Sequence, residues 1–143
     1  MPRAVLDTNV LVSALISPGG PSASLLLELR AGAFELVVSP QLLAELREVL
    51  ARPKFRAYVT ATEVAGYLDL VKHESALYED PRPSGETLST DPDDEYLIDL
   101  ARAAAADALV SGDSHLLDLR GVVPVMTPAE FLARLAAGDQ PDA

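Results

Sequence analysis

Four short aliphatic runs constrain this chain most: "AVL" (4–6), "LVV" (36–38), "ALV" (108–110) and "VVPVM" (122–126). Each is continuous rather than alternating. A strand with one wet face alternates apolar and polar residues, whereas a strand covered on both faces does not. The runs therefore read as parallel strands buried between helices. The stretches between them carry helical punctuation. "SASLLLELRAG" (22–32) is apolar at Leu25, Leu26 and Leu29 and stops at Gly32. "SPQLLAELREVL" (39–50) opens on Ser39 as cap with Pro40 in the first turn. "TATEVAGYLDLVKHESAL" (60–77) starts on Thr60 or Thr62, and "DPDDEYLIDLARAAAA" (91–106) on Asp91 and Pro92. "TPAEFLARLAAG" (127–138) has Thr127, Glu130 three residues later and a closing Gly138. Strands alternating with helices predict an α/β fold, a three-layer sandwich with a mostly parallel central sheet flanked by helices.

A length of 143 residues fits one domain, expected over 1–138, with "DQPDA" (139–143) expected to fray. Such a chain buries about 70% of the surface its unfolded form exposes, so it needs no covalent staple. It has no cysteine, which excludes disulfides and thiolate metal sites. No apolar run approaches the ~20 residues of a membrane span, and the N-terminus lacks the pattern of a signal peptide. The expectation is a cytoplasmic protein with no membrane association.

The formal net charge is −11, from 22 acids against 11 basic residues. Such a balance opposes non-specific binding to nucleic acid, which depends on cations meeting phosphates. The placement of the acids is more informative than their number. Asp7 follows "AVL" and Asp113 follows "ALVSG", so both stand at carboxyl ends of strands, where open parallel sheets bind ligands. Either could equally cap the helix that follows. Glu45 falls on the border of the stripe formed by Leu42, Leu43, Leu46, Val49 and Leu50, about 40° from Val49 at ~100° per residue. A salt bridge or a stem reaching water would also account for it. Asp94 projects within roughly 60° of the centre of the buried stripe Leu97, Leu100, Ala101 and Ala104. There the alternative is a capping box with Asp91.

Individually each acid has a structural explanation; together Asp7, Glu45, Asp94 and Asp113 fall on one edge of a parallel α/β layer. Carboxylates gathered at one site repel, and must be protonated, separated or neutralised by cations. Hard oxygen ligands without Cys or clustered His suit Mg²⁺ or Mn²⁺ rather than Zn²⁺. Such a site is suited to phosphoryl oxygens and to activating water.

With these residues in view, the chain resembles the PIN-domain family of metal-dependent nucleases. "VLDTNVLVSAL" looks like the first motif, with Asp7 leading, Thr8 next and Asn9 supporting the site by hydrogen bonding. "SPQLLAELREVLARPKF" resembles the second motif region and contributes Glu45. "DPDDEYLIDLARAAAADALVSGD" matches the third and fourth, with Asp94, Asp113 and the small hydroxyl of Ser111. The resemblance extends to the closing "TPAEFLARL". Through "RPKF", "DPDD" and "SGD…LL" it is most similar to the VapC-like subgroup, toxin components of bacterial toxin–antitoxin pairs. One departure stands at His115, where many relatives carry a further acid. A weak second-site ligand, a phosphate contact and a plain surface residue are all open readings of it.

The resemblance implies hydrolysis of RNA phosphodiester bonds by in-line attack, leaving a 5′-phosphate and a 3′-hydroxyl. It implies Mg²⁺ or Mn²⁺ held by Asp7, Asp94 and Asp113, with Glu45 a direct or water-bridged ligand. It also implies a homodimer and a cognate antitoxin. Arg47, Arg52, Lys54 and Arg56, interleaved with Phe55 and followed by Tyr58, form the candidate phosphate-contacting strip. A solvated helix end is the competing reading of these cations. A phosphoaspartate phosphatase would need a second Asp where Asn9 stands, and a receiver domain a late Lys, whereas the lysines are Lys54 and Lys72. A non-catalytic PIN scaffold that binds a protein, and a PIN nuclease of RNA processing, are the alternatives kept open.

Overall fold

The structure, a computed structural model, describes residues 1–83, 85, 87–89 and 91–138. Strands β1 (Arg3–Leu6), β2 (Glu35–Val38), β3 (Ser75–Leu77), β4 (Ala108–Val110) and β5 (Val125–Met126) form one sheet in the order β3-β2-β1-β4-β5. Every pairing is parallel. Residues 4–6, 36–38 and 108–110 are buried, as continuous apolar runs in a doubly covered sheet must be.

The helices are α1 (Thr8–Ile16), α2 (Pro21–Arg30), α3 (Pro40–Leu50), α4 (Ala61–Glu74), α5 (Pro92–Ala103), α6 (Ser114–Leu117) and α7 (Pro128–Ala136). A short 3-10 turn spans Pro53–Ala57. Crossovers between parallel strands are right-handed, so the steps from β1 to β2 and β2 to β3 put α1 to α4 on one face. The return from β3 to β4 runs the other way and puts α5 on the opposite face, packed on β1 and β4. Helix α7 joins the first layer against α2. Phe131 from α7 meets Phe34 edge-on with ring centroids 5.2 Å apart. The expected three-layer α/β architecture is the observed one.

Local chemistry sets the helix ends. Ser39 accepts the Leu42 N–H at 3.4 Å, and Thr127 and Glu130 close a reciprocal capping box. Gly32 takes φ +81° just past α2, a conformation that L side chains resist.

Two expectations need correction. The helix expected over 60–77 ends at Glu74, and "SAL" becomes the edge strand β3. Those three residues continue the apolar spacing of the helix, but pairing with Leu36, Val37 and Val38 claims them instead. The strand expected over 122–126 shrinks to Val125–Met126. Pro124 has no N–H to give, and the amides of Val122 and Val123 both donate to Leu119 O as a turn. Helix α6, only four residues long, carries too little periodicity to be read in advance. The fraying expected of 139–143 lies outside the described residues. Among the described residues, no single helix is long and apolar enough to cross a membrane.

This topology fixes where a site can form. Strand order reverses between β1 and β4, and open parallel sheets bind ligands at such a switch point, beyond the strand carboxyl ends. The two strand ends are tied there by Asp7 N–H donating to Val110 O at 2.9 Å.

Candidate active site

Asp7 leaves β1 and caps α1, and Asp113 follows β4 and caps α6. The capping explanation therefore holds for both, yet it does not exhaust them. Asp7 Oδ1 accepts the Asn9 N–H at 3.3 Å and Oδ2 accepts the Ser111 hydroxyl at 2.8 Å. Ser111 Oγ in turn accepts the Asp113 N–H at 3.0 Å, so one buried hydroxyl links the two acids. Asp113 uses Oδ1 for the His115 N–H at 2.8 Å. A carboxylate offers about four lone-pair sites, so both acids keep acceptor capacity. That capacity opens into a shared cavity of about 430 Å³ lined by Asp7, Asn9, Ser13, Ser22 and Asp113.

Asp94 is buried in the first turn of α5. The anticipated capping box does not form: Asp91 accepts the Asp93 N–H at 2.9 Å, and Asp94 Oδ2 instead accepts the Ser89 hydroxyl at 3.4 Å. Burial, then the charges of Asp113, Asp91 and Asp7, push the Asp94 carboxyl up to about 6. Asp7 is raised as well, by burial first and by Asp113, against the lowering from Ser111 and Asn9. Asp7, Asp94 and Asp113 therefore share one electrostatic neighbourhood.

Glu45 stands to one side of it. It lines a second cavity, of about 340 Å³, with Glu48, Arg52 and Asp93. Burial raises its carboxyl, followed by the charges of Asp93 and Asp7. Thr8 follows Asp7 in the first turn of α1. Its Oγ1 is buried and completes no hydrogen bond, and Glu45 is the carboxylate it faces, near enough to favour the ionised form. An orphaned buried hydroxyl is costly and points to a missing partner.

No ion pair to Asp7, Glu45, Asp94 or Asp113 is present among the described residues; Arg3 pairs with Glu35 and Arg120 with Glu130. The acids at this edge are thus neutralised by nothing that the described residues supply. Their all-oxygen chemistry fits a hard divalent ion. Among the described residues, no three His, Asp or Glu side chains converge tightly enough to enclose a metal.

The four candidate cations separate. Arg52 faces the Glu45 cavity. Lys54 sits over the Phe55 ring at 5.1 Å. Arg56 donates to Leu50 O at 3.3 Å and so caps the end of α3, as a cation at a helix end does. Arg47 is exposed on α3, and His115 is exposed on α6. Sequence reading passed over Ser89, Ser22 and Asp93. Ser89 lies five residues ahead of Asp94 in "STDPDD", a hydroxyl preceding a helix start. Asp93 belongs to the acidic crowding at 91–95, yet only its place beside α3 marks it out.

Comparison with known proteins bears on the family and the fold. The PIN domain family model matches residues 3–115. The uncharacterised protein MJ1680 of Methanocaldococcus jannaschii is 28% identical over 141 aligned positions, covering 91% of this chain and 89% of that protein. The fold is similar to that of VapBC2 from Rickettsia felis, solved bound to a DNA fragment from its promoter. That likeness has TM-score 0.61 at 18% identity and covers 87% of this chain and 98% of that one. PAE2754 from Pyrobaculum aerophilum has TM-score 0.62 at 18% identity, covering 95% and 96% of the two chains. With a family match that runs from β1 into α6, this chain belongs to the PIN domain family, nucleases that generally use divalent metal ions.

Proposed function

We propose that this chain is a Mg²⁺- or Mn²⁺-dependent endoribonuclease and the toxin of a toxin–antitoxin pair. The observation that carries the reading is the pairing of Asp7 and Asp113 in one cavity at the β1–β4 switch point, with Asp94 raised beside them and no neutralising cation among the described residues. In this reading Asp7, Asp94 and Asp113 hold the ion and Glu45 completes the site, directly or through water. A bound divalent ion supplies a more acidic water and stabilises charge on phosphoryl oxygens. Ser111 fixes the Asp7 carboxylate and the Asp113 backbone in one orientation. Asn9, exposed at the cavity wall, positions the carboxylates or a substrate phosphate. Thr8 faces Glu45 with its buried hydroxyl and opposes part of the rise that burial imposes on that carboxyl. Arg52 is the cation best placed to meet a phosphate on the Glu45 side.

Partner assignments belong to the same proposal. The Rickettsia felis complex supports a protein antitoxin by fold likeness. A homodimer, and action in the cytoplasm on cellular RNA, complete the reading. The test is cleavage of end-labelled structured and unstructured RNA with Mg²⁺, with Mn²⁺ and with EDTA. Cleavage that requires the ion and is lost in Asp7→Asn supports it. Cleavage equal in wild type and Asp7→Asn, after stringent purification, contradicts it. Induced expression should arrest bacterial growth, and co-expression of the neighbouring reading frame should relieve the arrest. Cleavage without arrest would instead favour RNA processing. Light scattering reads the oligomeric state.

A further inference from the structure

Helix α1 links the acid-lined cavity to a second feature. At ~100° per residue, Ser13 lies ~40° from Asn9 and Ile16 ~20° to its other side, so the three share one stripe. Asn9 and Ser13 line the Asp7–Asp113 cavity. Ile16 and Ser17 line another, of about 330 Å³, with Lys54, Phe55 and Tyr58. From Asn9 to Ile16 the helix rises ~10 Å, at ~1.5 Å per residue.

The far cavity has an unusual composition for this chain. Phe55 is buried and serves the core, whereas Tyr58 is 67% exposed. Beside them stands Lys54, which has no acidic partner among the described residues, in a chain of net charge −11. Arg3, Arg56 and Arg120 are by contrast tied to protein oxygens. An exposed ring next to an ammonium that lies over the Phe55 ring and has no acidic partner among the described residues offers a stacking face and a phosphate contact together, the pairing used to hold single strands. A duplex keeps its base faces stacked and cannot use such a ring.

We infer that this cavity is a subsite for single-stranded RNA, where one base stacks on Tyr58 and an adjoining phosphate meets Lys54. The strand then follows the α1 stripe to the Asp7–Asp113 cavity. The separation fits within the ~4–16 nucleotides that a single-strand groove holds. The inference rests on the RNA-cleaving reading of that cavity and adds a binding position beyond it, at Tyr58 and Lys54.

The test is fluorescence anisotropy of the full chain with labelled oligo-uridylate in EDTA, so that binding is read without cleavage. Tyr58→Ala should weaken binding roughly 5- to 100-fold, with Tyr58→Phe retaining it. Lys54→Gln should flatten the dependence of log K on log salt by about 0.7. Val122→Ala, at a residue that is 60% exposed elsewhere, should change nothing. The same oligonucleotide annealed into a duplex should bind weakly, with no dependence on Tyr58. Wild-type affinity in Tyr58→Ala overturns the subsite. So does a Tyr58→Ala defect confined to capture of a co-expressed protein, which would make the cavity a protein-docking surface. Tyr58-dependent binding without any cleavage supports the subsite and sinks the nuclease reading alone. Cleavage with Tyr58-independent binding sinks the subsite alone.

Discussion

The two ends of the same parallel sheet treat their acids in opposite ways. At the amino end, Glu35 accepts from the Arg3 guanidinium at 3.1 Å and from the Tyr78 hydroxyl at 3.2 Å, while Asp107 accepts the Arg3 N–H at 2.7 Å. The same guanidinium donates to Ala104 O at 2.7 Å and lies over the Tyr78 ring. At the carboxyl end, Asp7 and Asp94 are more deeply buried, yet have only hydroxyl and amide donors among the described residues. Buried carboxylates without a cation are costly, and each other's charge adds to the cost. The amino end is an arrangement for holding strands together. The carboxyl end has the opposite design, with Asp7 and Asp94 raised by burial and by neighbouring charge.

The largest expected effect breaks the comparison on the functional side. Asp94→Asn or Asp113→Asn should lower RNA cleavage by roughly 100-fold or more, because even residues behind metal ligands cost 10–100-fold. Glu35→Gln at the other end should leave the rate unchanged, as measured by single-turnover cleavage. Next comes ion binding read as stability. Mg²⁺ or Mn²⁺ at about 100 times its Kd should stabilise by ~2.7 kcal/mol, a rise of roughly 5–10 °C in the thermal midpoint near neutral pH. That rise should shrink as pH falls below about 6, where protons compete for Asp94.

A pH series of the ion-free protein sharpens the contrast further. Asp7, Glu45 and Asp94 have carboxyls raised in the folded state, so folding favours their protonated forms. Their contribution is therefore fully favourable below the ordinary carboxylate range and is lost as pH rises through about 6. Asp80 and Glu130 are lowered, Asp80 by the Gln41 N–H and the Ser39 and Tyr96 hydroxyls, and Glu130 by Thr127 and Arg120. Their stabilisation is present above the ordinary range and lost as pH falls below it. The thermal midpoint should rise from pH 7.5 to about 5 and then fall. Asp94→Asn should flatten the rise while leaving the acid fall in place. The smallest effect belongs to the amino end: Arg3→Gln should cost up to about 1 kcal/mol in denaturant melts, as for a half-exposed pair, with no change in ion binding.

Much of this was legible from residues. Continuous runs at 4–6, 36–38 and 108–110 could only be doubly covered strands, and Ser39, Thr60 and Thr127 announced their helices. Asp7 and Asp113 were readable because each follows such a run directly. Asp94 was readable by helical phase, since an acid on a buried stripe stands out. Strand β3 was not legible, because "SAL" becomes a strand only through pairing with β2, a distant segment. Nor was the division of Glu45 from Asp7 into separate cavities, or the bond from Ser89 to Asp94. Both depend on how α3, α5 and the loop before α5 come together, which spacing along one helix does not record. The cation strip looked uniform in sequence, yet three of its members have separate tasks, because the 3-10 turn after α3 rotates successive side chains apart.

The central claim is that the carboxyl-end acids are gathered for a divalent ion. Equilibrium titration of Mn²⁺, followed by loss of the free-ion paramagnetic signal near neutral pH, tests it on wild type, Asp7→Asn and Glu35→Gln. Saturable binding in wild type and Glu35→Gln, weakened at least about 10-fold in Asp7→Asn, is the predicted result. Equal binding in all three proteins, or none in wild type, contradicts it.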